Sequence, residues 1–416
     1  MKKKLSPSIA SSTMSYIVKG IEQVCKTFKD RAPGTQSERD CQDFFAKELE
    51  PWADEVRVEK FKLSPKAFMG FIPISALFGI FASILFFLNN YGPSKPVTAF
   101  AMALLVAAFL MFLFEFILYR QFVDFLFPKA ISKNVYAVKK PKGEVKKRII
   151  FGGHADAAYE WTYSLHGQTK TLAPAIGGSI GGMIMSMIFV IAYFIAGTPE
   201  FNKFWKGVSI YLLVNIVFYI AIMFFTNWRV IVDGANDNLT ACYASMAILK
   251  EMTENDFRFE NTEVACLITG SEEAGLRGAK AFAKKHNKEL KEVPTLFVAL
   301  ETLRETKELA VYTRDNTGTV HNDEEAAEML IAAGKKLDID LPRAPVYPGS
   351  TDAAAFTQAG IRAIGLGGVN HDPQTYYHTR HDSYDNISPE CIEKALEISY
   401  EAAYMFDANE SIDLTN

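Results

Sequence analysis

Four stretches of this chain lack charge for long enough to cross the core of a bilayer: Ala67 to Leu88, Val97 to Phe114 (continuing past Glu115 to Tyr119), Thr171 to Pro199 and Gly207 to Trp228. A spanning helix needs about 20 predominantly apolar residues. Four such runs in one chain are hard to bury in a single soluble domain, so they are read as membrane spans. They come as two hairpins, joined by Tyr91 to Pro96 and by Gly197 to Lys206. Each hairpin returns the chain to its starting side. The polar sequence of residues 1–66, 128–170 and 229–416 is therefore expected to form one domain on one face, interrupted by hairpins at 67–127 and 171–228.

The composition agrees with a membrane component, since 49% of the 416 residues are hydrophobic. A net charge of -4 offers no basic excess for phosphates, so no nucleic-acid partner is expected. Cys25, Cys41, Cys242, Cys266 and Cys391 are scattered, without the CxxC spacing of a structural zinc site or a redox pair, and are read as free buried thiols. No apolar run follows the lysines of the first residues closely enough to make a cleavable signal sequence. Lys60, Lys62, Lys66, Arg120, Lys129, Lys133, Lys170 and Arg229 flank the spans on the domain side, against Lys95, Lys203 and Lys206 in the two joints. This bias predicts an integral membrane protein with four transmembrane helices and a cytoplasmic soluble domain. Gly177, Gly178, Gly181 and Gly182 form two overlapping GxxxG pairs that suit close helix packing. Glu115 is read as snorkelling or pairing locally beside Arg120.

Outside the hairpins the sequence alternates strands and helices. Glu55 to Leu63 has a period of two, Asn134 to Lys140 is a second strand, and KKRIIFGG leads straight into His154. Leu239 to Glu251 and Gly275 to His286 read as helices; Glu263 to Ile268, Thr295 to Leu300 and Arg362 to Leu366 read as buried strands. The expected fold is α/β: a three-layer sandwich on a central mixed, mostly parallel sheet, interrupted by the two hairpins.

Chemistry enters with five short motifs in a fixed order: GGHADA around His154, GANDN around Asp237, GSEEAG around Glu272 and Glu273, VALET ending at Glu301, and YYHTRHD around His378. In an open α/β sheet, groups just beyond the carboxyl ends of strands converge. Two imidazoles and three carboxylates suit zinc, and a shared carboxylate suits a pair of ions, with cobalt or manganese as substitutes. Of the adjacent Glu272 and Glu273, one carboxylate can bind metal while its neighbour takes a proton from water. Asp156 is placed to accept the other ring N–H of His154. His166, His286, His321 and His371 match none of the motifs and are expected at the surface or in loops. His381 is a rival to His378 by spacing. Asp352 is either a helix cap or part of the site.

These motifs together resemble the dinuclear zinc aminopeptidases, whose relatives include glutamate carboxypeptidases and glutaminyl cyclases. The resemblance covers roughly residues 15–66, 130–165 and 229–405. It implies that His154 and Glu301 bind one zinc, Glu273 and His378 the second, and that Asp237 bridges both. It also implies that Glu272 is the general base, that Asp156 orients His154, and that a cis peptide joins Asp237 to Asn238. In the segment Gly349 to Leu366, Arg362 stands where that family usually has proline, and Ala353 where it has a bulkier residue. The implied activity is hydrolysis of peptide bonds by an aminopeptidase, with a carboxypeptidase, another amidase or a non-catalytic ligand-binding accessory protein as alternatives.

The hairpins enter at informative places. The first replaces a turn between two strands, and the second departs after His154 and returns just before Asp237. The catalytic mouth is thus expected at the membrane surface, where its substrates would be hydrophobic or membrane-associated peptides.

Overall fold

A computed structural model describes residues 11–369 and 375–408. Helices α1 (Ser11–Thr27) and α2 (Gln36–Leu49) precede strand β1 (Glu55–Leu63). Helices α3 (Ala67–Leu88) and α4 (Lys95–Met111) form the first hairpin, followed by β2 (Ala130–Lys139) and β3 (Lys147–His154). The second excursion runs through β4 (Tyr159–Trp161), α5 (Thr162–Gly167), α6 (Thr169–Ile195), α7 (Lys203–Ile222) and β5 (Thr226–Ile231). The remainder comprises α8 (Thr240–Glu254), β6 (Thr262–Thr269), α9 (Arg277–Lys285), β7 (Thr295–Leu303), β8 (Ala310–Asp315), β9 (Val320–His321), α10 (Glu324–Lys336), β10 (Arg343–Pro345), α11 (Asp352–Gln358), β11 (Arg362–Gly368) and α12 (Pro389–Ala408).

Nine strands form one mixed sheet in the order β1-β2-β6-β3-β7-β11-β8-β10, with β9 beside β8. Its centre, β6-β3-β7-β11, is parallel, and antiparallel pairs flank it. Successive side chains of a strand point to opposite faces, which divides the core in two. Ile149, Phe151, Val264, Cys266, Ile268, Val298 and Leu300 pack under α1, α2, α8 and α12. Ile150, Ala265, Leu267, Phe297 and Ala299 pack with α9 and α11 on the other face. This is the expected α/β sandwich. All five cysteines are buried free thiols.

Among the described residues, four helices are long and apolar enough to cross a membrane: Ala67–Tyr91, Lys95–Ile117, Thr169–Ile195 and Lys203–Ile222. The first pair grows from an antiparallel strand pair, with Leu63 opposite Ala130. The second grows from a two-stranded ribbon in which Trp161 faces Thr226. That ribbon corrects the expected fourth span. The helix ends at Ile222, and residues 226–228 form strand instead, their backbone pairing with β4 before the chain re-enters the domain.

Two further expectations change. Glu115 is fully buried and faces Arg277, at 3.8 Å, while Arg120 is exposed. Its carboxylate also accepts the Val123 N–H at 2.7 Å, and Arg277 donates to Asp124 at 2.8 Å. This buried cluster ties the first hairpin to the start of α9. His286 is also buried, between Glu59 at 2.9 Å and Glu289 at 2.7 Å, because the edge strand β1 brings Glu59 over the end of α9. His166 and His321 are exposed as expected, whereas His371 lies outside the described residues.

Only one GxxxG pair is used in packing. A Cβ at Gly178 would meet the Phe218 ring at 2.3 Å and one at Gly182 would meet the Asn215 side chain at 2.0 Å, whereas Gly177 and Gly181 face open space. Overpacking of this kind costs roughly 1–3 kcal/mol. Gly182→Leu is therefore expected to lower thermal stability in detergent micelles by about that much, and Gly181→Leu to leave the melting curve nearly unchanged.

Candidate metal centre

His154, the Glu272-Glu273 pair and Glu301 are delivered by carboxyl ends of the parallel core. His154 is the last residue of β3, opposite Thr269 at the end of β6, and Glu301 lies near the end of β7 opposite Gly367. Glu272 and Glu273 follow β6 in a loop that reverses through Ser271 and Leu276, both at positive φ. Asp237 sits in an irregular turn ahead of α8, and the peptide joining it to Asn238 is cis, as the resemblance implied. His378 is reached by the segment before α12.

The carboxylate of Asp237 faces both imidazoles. Its Oδ1 lies 3.0 Å from His154 Nε2, and its Oδ2 lies 3.0 Å from His378 Nε2. Glu301 Oε1 is 4.0 Å and Glu272 Oε2 3.8 Å from His154 Nε2, while Glu273 Oε1 is 3.2 Å from His378 Nε2. The donor atoms fall into triads that could each hold a metal ion: His154, Asp237 and Glu301; Asp237, Glu273 and His378; and His154, Glu272 and Glu273. The first two share Asp237. The rival His381 is exposed and belongs to none of these groups.

Charge balance tests whether a metal fits. Four carboxylates, those of Asp237, Glu272, Glu273 and Glu301, face two imidazoles, with side-chain exposures of only 4 to 12%. Burial, joined by repulsion among these carboxylates, pushes Glu272 and Glu301 well up from the usual carboxylate range and raises Glu273. Burial would lower the imidazoles, but the surrounding anions outweigh it and raise His154 well above its ordinary value and His378 to about 10. Burial also opposes ionisation of Asp237, yet the two imidazoles hold it below the ordinary aspartate value. Buried ionised carboxylates are stable only when compensated. A divalent cation between mixed nitrogen and oxygen donors supplies the missing positive charge, and the donor set is one zinc accepts.

The surrounding residues hold these side chains in place. Asp156 does more than sit beside His154. Its carboxylate accepts the backbone N–H of Glu272 at 2.9 Å and of Glu273 at 3.0 Å, and lies 3.6 Å from His154 Nδ1. It thus orients the glutamate loop at least as directly as the histidine. Asn238 donates to Leu300 O at 3.1 Å and to Glu301 Oε2 at 3.2 Å, clamping the turn onto β7. Asp352 caps nothing, since Thr351 is the N-cap of α11. Its buried carboxylate accepts from Thr269 Oγ1 at 2.5 Å behind the ligands, and burial pushes it up to about 6.

Two buried carboxylates escaped the sequence reading. Asp382 accepts the N–H of Asn236 at 2.7 Å and of Asp237 at 3.1 Å, fixing the Asp237 turn. It closes the YYHTRHD motif, and that adjacency was the available signal. Glu38, from α2, accepts Ser132 Oγ at 2.8 Å and Ser271 Oγ at 2.9 Å, and no local pattern distinguishes it from a surface glutamate.

His378 also touches the second excursion. Trp161 N–H donates to His378 O at 2.8 Å, and the Trp161 and His378 rings lie 4.3 Å apart. Glu272, Glu273 and His378 open onto a cavity whose other walls come from α3, the turn after α4, Trp161, α6, α7, Phe225 and residues 348–350.

Loss of such an orienting carboxylate commonly weakens metal binding 10–100-fold. Asp156→Asn is expected to raise the zinc dissociation constant by about that factor, read by competition with a fluorescent chelator.

Comparison with known proteins follows the same lines. Residues 223–403 match the model of peptidase family M28. Among solved structures, the chain is similar to the zinc aminopeptidase BSAP from Bacillus subtilis (14% identity, covering 97% of this chain and 96% of that one, TM-score 0.56). It is also similar to an aminopeptidase from Aneurinibacillus sp. strain AM-1 (14% identity, 95% and 93%, TM-score 0.55). A glutaminyl cyclase from an Acidobacteriales bacterium shares the fold as well (12% identity, 97% and 97%, TM-score 0.53). No match was found among curated proteins. At these identities the structural likeness speaks for the fold. The family match itself covers the part of the chain that holds Asp237, Glu272, Glu273, Glu301 and His378.

Proposed function

We propose that the protein is a membrane-anchored, zinc-dependent aminopeptidase with two metal positions sharing Asp237. The observation that carries this reading is the pair of donor triads, His154-Asp237-Glu301 and Asp237-Glu273-His378, joined through that one carboxylate. Bound zinc would supply Lewis-acid polarisation of the scissile carbonyl and acidify a water molecule. His154 and Glu301 would hold one ion and Glu273 and His378 the other. Glu272 contacts the His154 side and reaches the cavity, so it is assigned the general-base role: it takes the proton from the attacking water and passes it to the leaving amine. The elevated proton affinity of Glu272 suits a group that must accept a proton and hold it.

Among the described residues lining the cavity, none is lysine or arginine. A carboxypeptidase needs a cation for the substrate's terminal carboxylate, whereas an acidic site suits a free amine. This favours the aminopeptidase over its relatives. The BSAP and Aneurinibacillus proteins are described as aminopeptidases, which supports the same choice.

General base catalysis contributes roughly 10²–10⁴-fold. Glu272→Gln is therefore expected to cut hydrolysis of leucine p-nitroanilide by at least about 100-fold while zinc content by mass spectrometry persists. Wild-type turnover in that variant would sink the assignment. Chelation should abolish activity and added zinc restore it.

The four apolar helices and the lysine and arginine residues at their domain-side ends support a cytoplasmic catalytic domain in an integral membrane protein. A cysteine placed at Tyr91 should then react with impermeant maleimide from outside intact cells. One placed at Glu390 in the domain should react only after lysis, and the reverse pattern would invert the topology.

A further inference from the structure

The cavity joined to the metal centre is built differently at its two ends. At one end are Glu272, Glu273 and His378; the far walls are side chains of the apolar helices, among them Met69, Ile72, Phe112, Ile176, Met183 and Ile222. Along α6 the lining runs from Leu172 to Met183, which at a helical rise of about 1.5 Å per residue is a depth of roughly 16 Å. That is about half the hydrocarbon thickness of a bilayer. A slot this deep would take several residues of extended peptide, but each would bring an N–H and a C=O. The helical walls spend most of their backbone groups on themselves, Ser179 is already bonded to Ala175 O at 2.7 Å and to Phe218 O at 2.9 Å, and the Tyr219 hydroxyl is a lone polar atom, too few for the groups of an extended peptide. A peptide backbone would leave its polar groups unpaired there. A hydrocarbon chain has no such groups.

We propose that the cavity holds a hydrocarbon chain covalently attached to the substrate's scissile amide, so that the preferred substrates are lipid-modified amides whose chain lies among the four apolar helices. The proposal rests on the metallohydrolase reading and names its substrate class. In the reaction, the C–N bond of the amide breaks, the hydroxyl of one water joins the carbonyl carbon and its proton goes to the leaving nitrogen. The chain is carried either on the leaving amine, as in an aminoacyl alkylamide, or on the acyl side, as in an N-acyl amino acid amide with no free carboxylate.

The test uses the full-length protein in lipid nanodiscs with zinc. Rates are compared for alanine ethylamide and dodecylamide, for N-acetyl- and N-lauroyl-alanine amide, and for an octapeptide of leucine. In parallel, a dodecylamide with a terminal diazirine is photolysed on the Glu272→Gln variant and the labelled residues are mapped. The long-chain member of at least one pair should be cleaved at least tenfold faster than its short-chain partner, and Ile176→Trp and Ile180→Trp should each collapse that ratio. Photolabel should fall on residues 69–76 or 172–183 and be displaced by excess dodecylamide. A preference on the amine side identifies aminoacyl alkylamides, and one on the acyl side identifies N-acyl amides.

Equal rates for short and long chains, a ratio untouched by both tryptophan variants, or label confined to the outward-facing Phe81, Ile188 and Val217 would overturn the chain site even if the ethylamide is cleaved. Preference for the octaleucine peptide over every lipid-modified amide would likewise replace the hydrocarbon chain with a peptide. If no amide is cleaved but displaceable label maps to the cavity, the hydrolase reading falls and the chain site stands.

Discussion

The structure depends on keeping a cluster of carboxylates at the carboxyl edge of a sheet whose centre is buried on both faces. Asp237, Glu272, Glu273 and Glu301 each lie within 4.0 Å of the imidazole of His154 or His378, and the two imidazoles offset only part of their charge. Such a cluster is costly in a low dielectric unless protons or a bound cation offset its charge. Backbone donors do some of the work of holding it together: Asp156 gathers the amides of the glutamate loop, and Asp382 gathers those of the Asp237 turn. The parallel centre of the sheet makes the convergence possible, because β3, β6 and β7 all end on the same edge.

The apolar hairpins are inserted without disturbing that edge. Each leaves and returns through paired strands, so the domain's ladders continue beneath the insertion. Buried polar contacts then couple insertion and domain. Arg31 donates to Ala155 O at 3.0 Å and to Asp233 O at 2.6 Å, bridging the segments on either side of the second hairpin. Arg277, at the end of the glutamate loop, reaches Asp124 and Glu115 of the first. Ion pairs this deep are poor sources of net stability, but they penalise any arrangement that leaves one partner alone. They therefore define the placement of the helices over the metal centre, and with it the joint cavity.

Much of the domain was legible because its signals are local. A buried strand such as Thr262–Thr269 declares itself as an unbroken apolar run, and the motif residues lie directly after such runs. Errors arose where distant partners decide. The apolar composition of residues 223–228 continues the preceding helix, yet pairing with Tyr159–Trp161 turns Thr226–Ile231 into strand. Glu115 has Arg120 as its sequence neighbour, but the fold delivers Arg277. His286 looks like any polar residue at a helix end until Glu59 arrives from the edge strand.

The sequence by itself determined the α/β class, the four apolar helices, the order of the ligand motifs and their position after strands, since periodicity, length and residue chemistry are properties of short segments. Only the tertiary structure decided that Asp237 lies between the two histidines, that Asp156 serves the glutamate loop, that Glu38 and Asp382 support the centre, and that the candidate metal site and the apolar helices wall one cavity. Those facts depend on contacts between residues more than eighty positions apart, whose geometry is set by sheet order and packing and leaves no periodic trace in the chain.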